Sequence, residues 1–224
     1  MPSPSQSCFM NFQLLRLDSS YHSLMSNEKV VAKQEFLSSL DAEQRRIPIA
    51  TYALTGLRAD CDLLLWRVAS SLEQLQDMSS RLQSSGMGKF IVPVYSFLGA
   101  VSDASYVRVQ AADKSDAPRP QSFGAARYLF VQPLIAAAGA SRAEIPKEFS
   151  RTAAAHGAVR MHAADCAGFD DPDYLFAFET DDPAAWSRLA IELRGGPIAS
   201  LTERETPTFA AIARDVRDLV DEIG

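Results

Sequence analysis

Residues 62–101, DLLLWRVASSLEQLQDMSSRLQSSGMGKFIVPVYSFLGAV, lay out one supersecondary unit in order. DLLLWRVA (62–69) is a short continuous apolar run, the pattern of a strand covered on both faces. Ser71-Leu72-Glu73-Gln74 follows as a capping box, because a serine oxygen and a glutamine side chain can satisfy the free amides of a helix start. Leu72, Leu75, Met78 and Leu82 make one apolar helical stripe, which Gly86 and Gly88 can stop. KFIVPVYSFLGAV (89–101) reads as a strand whose proline argues for an edge or a bulge.

The same order returns downstream. YLFAFETD (174–181) is a strand, and Asp182-Pro183 is an N-cap with proline at the first helical position. Trp186, Leu189, Ala190 and Leu193 then recur at i, i+3, i+4 and i+7. Gly195-Gly196-Pro197 breaks that helix, and SLTERETPTFAAI (200–212) reads as the last strand, before a short terminal helix. Asp62 and Asp173 lie 111 residues apart, and Pro93 and Pro207 lie 114 apart. A near-constant offset of half the chain is what duplication of one unit produces.

Outward from these two stretches the halves stay parallel. FMNFQLLRL (9–17) and RYLFVQPLI (127–135) are strands, each followed by a helical pattern. In the first half, Val30 and Leu37 lie a heptad apart and Phe36 and Leu40 at i, i+4. In the second, Ile145-Pro146-Lys147-Glu148 opens a helix carrying Phe149, Ala153 and His156 on one face. IPIATYALTGL (47–57) and AVRMHAADC (158–166) supply the next strands, and GFDD (168–171) is a tight turn. The polar stretch 102–124 reads as a linker. The expected organisation is α+β: tandem βαββαβ repeats, 1–124 and 125–224, with the two sheets packed as a barrel-like core within one chain.

With 224 residues and 47% apolar content, the chain can bury a sizeable core. A net charge of −6 argues against a nucleic-acid or anionic-membrane partner, since either favours a basic patch. No apolar run reaches the ~18–20 residues of a membrane span. The first residues, MPSPSQSCFM, lack the basic and apolar regions of a secretory signal, so a cytoplasmic location is expected. Cys8, Cys61 and Cys166 are odd in number and widely spaced, which reads as reduced structural thiols. There is no phosphate-binding glycine loop, no GxSxG and no HExxH.

Several phrases resemble chlorite dismutase and coproheme decarboxylase proteins: TYALTGLRADCDLLLWRVASSLEQLQ, SGMGKFIVPVYSFLG, RYLFVQPL and GFDDPDYLFAFETDDP. The resemblance implies a tandem ferredoxin-like fold (a dimeric-type α+β barrel), assembly into a homo-oligomer, and haem held in the C-terminal half. It also implies a proximal histidine on that half's first helix. Ala155-His156-Gly157 resembles the ligand segment, which makes His156 the candidate for binding the cofactor and its iron. An ungapped alignment instead places Phe149 near the ligand position, because only Gly157 and Ala158 separate His156 from Val159-Arg160.

Other positions depart from the family pattern. Met161 falls where chlorite dismutases carry a distal arginine, with Arg160 and His162 as its neighbours, so these three are the distal-side catalytic candidates. Successive strand residues face opposite ways, so Arg160 cannot simply replace an arginine at 161. The glutamate that orients the proximal histidine falls near Pro197, and AAAGAS (136–141) stands where decarboxylases carry a tyrosine. The leading expectation is a haem-binding, peroxidase-like oxidoreductase acting on a small-molecule substrate. The alternatives are a haem-free binding or scaffold protein and a cofactor-independent α+β barrel enzyme.

Overall fold

The structure is a computed structural model that describes residues 8–101, 123–203 and 207–224. All but the last two residues of the expected 102–124 linker lie outside the described residues. The fold is α+β, and the chain forms two compact units: Cys8–Phe97 with Ala211–Gly224, and Leu98–Ala210. These divisions fall inside two strands, β4 (Ile91–Val101) and β8 (Phe209–Ala213), whereas the boundary read from chain order was 124/125.

In the first unit, β1 (Cys8–Leu17), β2 (Ile49–Ala53) and β3 (Leu63–Ala69) form an antiparallel sheet with β3 in the middle. The end of β8 joins β2 through Tyr52–Ala213 and Ala53–Ile212. β3 is buried along its whole length, as its unbroken apolar run predicts. Helix α1 (Ser26–Gln44) starts where Glu28 accepts the Met25 N–H at 2.8 Å. It buries Ala32, Phe36 and Leu40, while Val30 is exposed. The helix that the spacing of Val30 and Leu37 suggests is present, but the arc it buries is centred on Phe36 and Leu40, about a quarter of a turn away.

Helix α2 (Leu72–Ser84) opens on Ser71, whose hydroxyl accepts the Gln74 N–H, while the Gln74 side chain accepts from the Ser70 N–H, one residue earlier than a standard capping box. Its buried stripe is Leu75, Met78 and Leu82, with Leu72 exposed at the first turn. Arg81 of α2 donates two hydrogen bonds to the buried Glu43 of α1, at 2.6 and 2.9 Å. Arg67 is also buried: its guanidinium is bound by the Asn11 carboxamide oxygen and by Ser79 Oγ, and burial pulls its pKa down to about 10, so it stays charged near neutrality.

The second unit repeats this plan with β5 (Tyr128–Leu134), β6 (Arg160–Asp165) and a fully buried central β7 (Tyr174–Thr180). The end of β4 meets β6 at Ala100–Asp165. Helices α3 (Glu144–Ala154), α4 (Pro183–Gly195) and α5 (Ile198–Leu201) accompany this sheet, and α6 (Val216–Ile223) ends the chain in the first unit. Asp182 caps α4 by accepting the Ala184 N–H at 2.9 Å, with Pro183 in the first turn. Residues 198–201 are helical, so the last strand is shorter than 200–212 and begins at Phe209.

Matched residues do matched work in the two units. The Asp62 carboxylate accepts the Leu17 N–H while its own N–H donates to Leu15 O, each at 2.8 Å. The Asp173 carboxylate accepts the Ala136 N–H and its N–H donates to Leu134 O, again at 2.8 Å. Gly56 and Gly168 both turn through the left-handed region, with φ of 77° and 79°, where a Cβ would be strained. The paired aspartates and glycines are thus joints between strands, placed correspondingly in the two units.

Candidate functional site

Period-two alternation along β5, β6 and β7 sorts the second unit's side chains into two sets. Phe130 and Leu134 of β5, Ala163 of β6, and Tyr174, Phe176 and Phe178 of β7 pack with Ile145, Phe149 and Ala153 of α3 and with Trp186, Leu189 and Leu193 of α4. The rings form a continuous stack. Phe149 lies flat on Phe176 with centroids 4.0 Å apart and planes 7° apart, Phe178 meets Trp186 at 4.6 Å, and Trp186 meets Phe130 at 4.9 Å. Phe149 is 1% exposed.

Beside this stack is a cavity of about 390 Å³. Its apolar wall is Phe149, Leu193, Ile198 and Ala199. Its polar wall is Gln132, Arg194, Thr202 and Glu203. Gln132 interrupts the apolar set of β5 between Phe130 and Leu134, and Arg194 sits in the last turn of α4 just before the helix-breaking glycines. The 201–203 segment is held to 135–137: the Glu203 N–H donates to Ile135 O and the Ala137 N–H to Leu201 O, both at 2.9 Å. Among the described residues, no side chain of Gln132, Arg194 or Glu203 is engaged in a hydrogen bond or ion pair. None of these four polar residues was singled out from the sequence. The available signal was a glutamine within an otherwise apolar strand.

His156, Arg160, Met161 and His162 are not among the residues that line this cavity. His156 is two residues beyond the end of α3, its N–H bonded to Ala153 O at 2.9 Å. Its Nε2–H donates to the Glu192 carboxylate of α4 at 2.8 Å, with the two side chains 18% and 54% exposed. The imidazole therefore does have a carboxylate partner. The comparison at Pro197 missed it because Glu192 lies five residues earlier, on the exposed edge of α4.

The three distal-side candidates divide between two faces of β6. Met161 packs against the aromatic cluster. Arg160 and His162 turn the other way, toward the buried Glu179 of β7: the His162 Nε2–H donates to Glu179 Oε2 at 2.9 Å, and Arg160 Nη1 lies 3.7 Å from the same oxygen. The Ala126 N–H donates to the other Glu179 oxygen at 3.3 Å. Glu179 is thus held by His162, Arg160 and the Ala126 amide on the face opposite the rings.

These placements do not fit an iron held by His156. Its Nε2 is committed to Glu192, and the α3 residue bordering the cavity is Phe149, seven residues earlier, or about 10 Å along a helix axis. Phenylalanine offers iron no lone pair, and the face where a distal arginine was sought presents Met161 and aromatic rings. Among the described residues, no three His, Cys, Asp or Glu side chains are grouped to hold a metal ion. Among them, too, no helix is long and apolar enough to cross a membrane.

Comparison with known proteins gives one consistent lineage. The chain is 25% identical over 179 residues to a coproheme decarboxylase of Mycolicibacterium smegmatis, covering 77% of this chain and 75% of that protein. A solved chlorite dismutase variant from Candidatus Nitrospira defluvii superposes with a TM-score of 0.83 over 99% of this chain and 97% of its own, at 18% identity. A heme-binding protein from Thermus thermophilus superposes with a TM-score of 0.75 over 99% of both chains, at 16% identity. The α+β fold expected from the repeat is the fold of these structures. The sequence pattern of the chlorite dismutase family matches residues 27–214, and the chain belongs to that family.

Proposed function

We propose that the chain is a haem-free member of its family that binds a small organic molecule in the cavity bordered by α3, α4, α5 and β5. The observation that carries this reading is the exchange of roles on and after α3. Phe149 borders the cavity and has no iron-ligating atom, while His156, the histidine that follows α3, donates its Nε2–H to Glu192. A cavity of about 390 Å³ is within the ~300–1,000 Å³ range of small-molecule sites. As with other members of such a fold, function follows the site and not the scaffold. Assembly as a homo-oligomer belongs to the same reading and rests on the family likeness.

The rival reading is a haem-binding, peroxidase-like oxidoreductase with His156 as axial ligand and Arg160, Met161 and His162 on the distal side. The names of the coproheme decarboxylase and heme-binding relatives favour it. So does Glu192, because a carboxylate bonded to an imidazole orients it and raises its basicity. That reading requires the ring to turn so that Nε2 leaves Glu192.

Haemin titration separates the two. Wild type and His156→Ala are expected to give the same unsaturable spectrum. The variant will fold, because a half-exposed His–Glu pair contributes at most about 1 kcal/mol. A Soret shift that saturates at one haemin per chain and disappears in His156→Ala would overturn the proposal.

A further inference from the structure

We infer that the α3–α4–α5 cavity takes a small monocarboxylate with an apolar, ring-sized body, and that Arg194 is the residue that selects the carboxylate. This rests on the haem-free reading of the same site and adds the chemistry of its ligand. Three features of the wall carry it.

The first is the apolar side: Phe149 with Leu193 and Ile198 provides a surface that removes a ring or branched alkyl body from water. The second is Arg194. Its planar guanidinium matches a carboxylate in bidentate fashion, and among the described residues it has no acidic partner to occupy it. The third is Gln132, an amide set between Phe130 and Leu134 on the sheet face toward the helices, also without a described partner. An amide in that position can donate N–H to a ligand oxygen and fix its orientation.

Glu203, the remaining charged residue of the wall, sets the ligand's charge number. A second carboxylate would meet it as a like charge, which favours one acidic group over two. Thr202 contributes little to selection, because its hydroxyl already donates to Ile198 O at 3.1 Å.

The test uses the full chain and three probes of one shape: phenylacetate, its neutral isostere phenylacetamide, and the cation phenethylamine, each titrated calorimetrically. Phenylacetate is expected to bind one per chain, at least about tenfold more tightly than phenylacetamide, because a charge-assisted bidentate pair replaces a neutral one. Arg194→Met, which keeps the apolar stem, should bring phenylacetate down to the amide's affinity and leave the amide unchanged. Gln132→Leu should weaken both. Phenethylamine should bind more weakly than either.

Equal binding of acid and amide, an unchanged affinity in Arg194→Met, or no binding of phenylacetate would each overturn the ligand assignment. The haemin titration is a separate arm. Failure of phenylacetate with no haemin bound removes only the ligand class, whereas one-equivalent haemin binding lost in His156→Ala removes the haem-free reading beneath it.

Discussion

Truncating Phe149 to alanine probes the aromatic stack on which the cavity and the case against iron ligation both depend. The side chain is 1% exposed and lies flat on Phe176 at 4.0 Å, with Phe178 a further neighbour at 6.4 Å. Phe→Ala in a packed core costs about 3–5 kcal/mol, of which an aromatic pair supplies about 0.5–1.5. Phe149 already borders the cavity, so part of the vacated space opens into existing volume and takes up water. That places the expected loss near the lower end, about 3 kcal/mol.

Urea unfolding followed by far-UV circular dichroism and tryptophan emission, with an unchanged m-value, measures it. Phe176→Ala and the double variant complete a cycle, whose coupling should be about 0.5–1.5 kcal/mol. A loss below about 1 kcal/mol, or no coupling, would refute the reasoning. It would mean that the rings yield easily, and the space they fill could then open to a flat macrocycle.

Two further outcomes follow from ionisable groups. Hydrogen bonds from Arg81 hold the buried Glu43 carboxyl below its ordinary value, so the pair stabilises the fold above about pH 4.5 and loses that contribution as pH falls through the lowered folded value. Arg81→Met should therefore lower the denaturant midpoint at neutral pH, moderated by Arg81's partial exposure, and the difference from wild type should shrink in acid. A pH-independent difference in denaturant midpoint would contradict this. Burial pushes both Cys61 and Cys166 up to about 12, so native protein exposed to a thiol reagent at neutral pH should keep both unlabelled until it is unfolded. Labelling of either at the unfolded rate would count against their packing.

By itself, the amino-acid sequence determined which segments become strands and helices and that they come twice. Those properties follow from local order along the chain: the unbroken apolar run before Ser71, the Asp182-Pro183 cap, and the paired Asp62 and Asp173. The run and the cap act within a few residues, whereas Asp62 and Asp173 close the same joint in both units by accepting from Leu17 and Ala136, 45 and 37 residues away. Residues 30 and 37 show the limit of such reading. Their spacing suits a helix, but only the neighbouring sheet and α2 decide which arc is covered, and that arc belongs to Phe36 and Leu40.

The site depended on tertiary structure throughout. Strand alternation already separated Arg160 from Met161, but only the pairing of β6 with β7 brought Arg160 and His162 to Glu179 and left Met161 among the rings. Two residues of chain set His156 past the end of α3, where Glu192, 36 positions away, meets it. Gln132, Arg194 and Glu203 come from a strand, a helix end and a loop, and nothing in their spacing links them. A cavity is space left between packed elements, so it has no signature in any one of them, and its polar lining became legible only once the chain had folded around it.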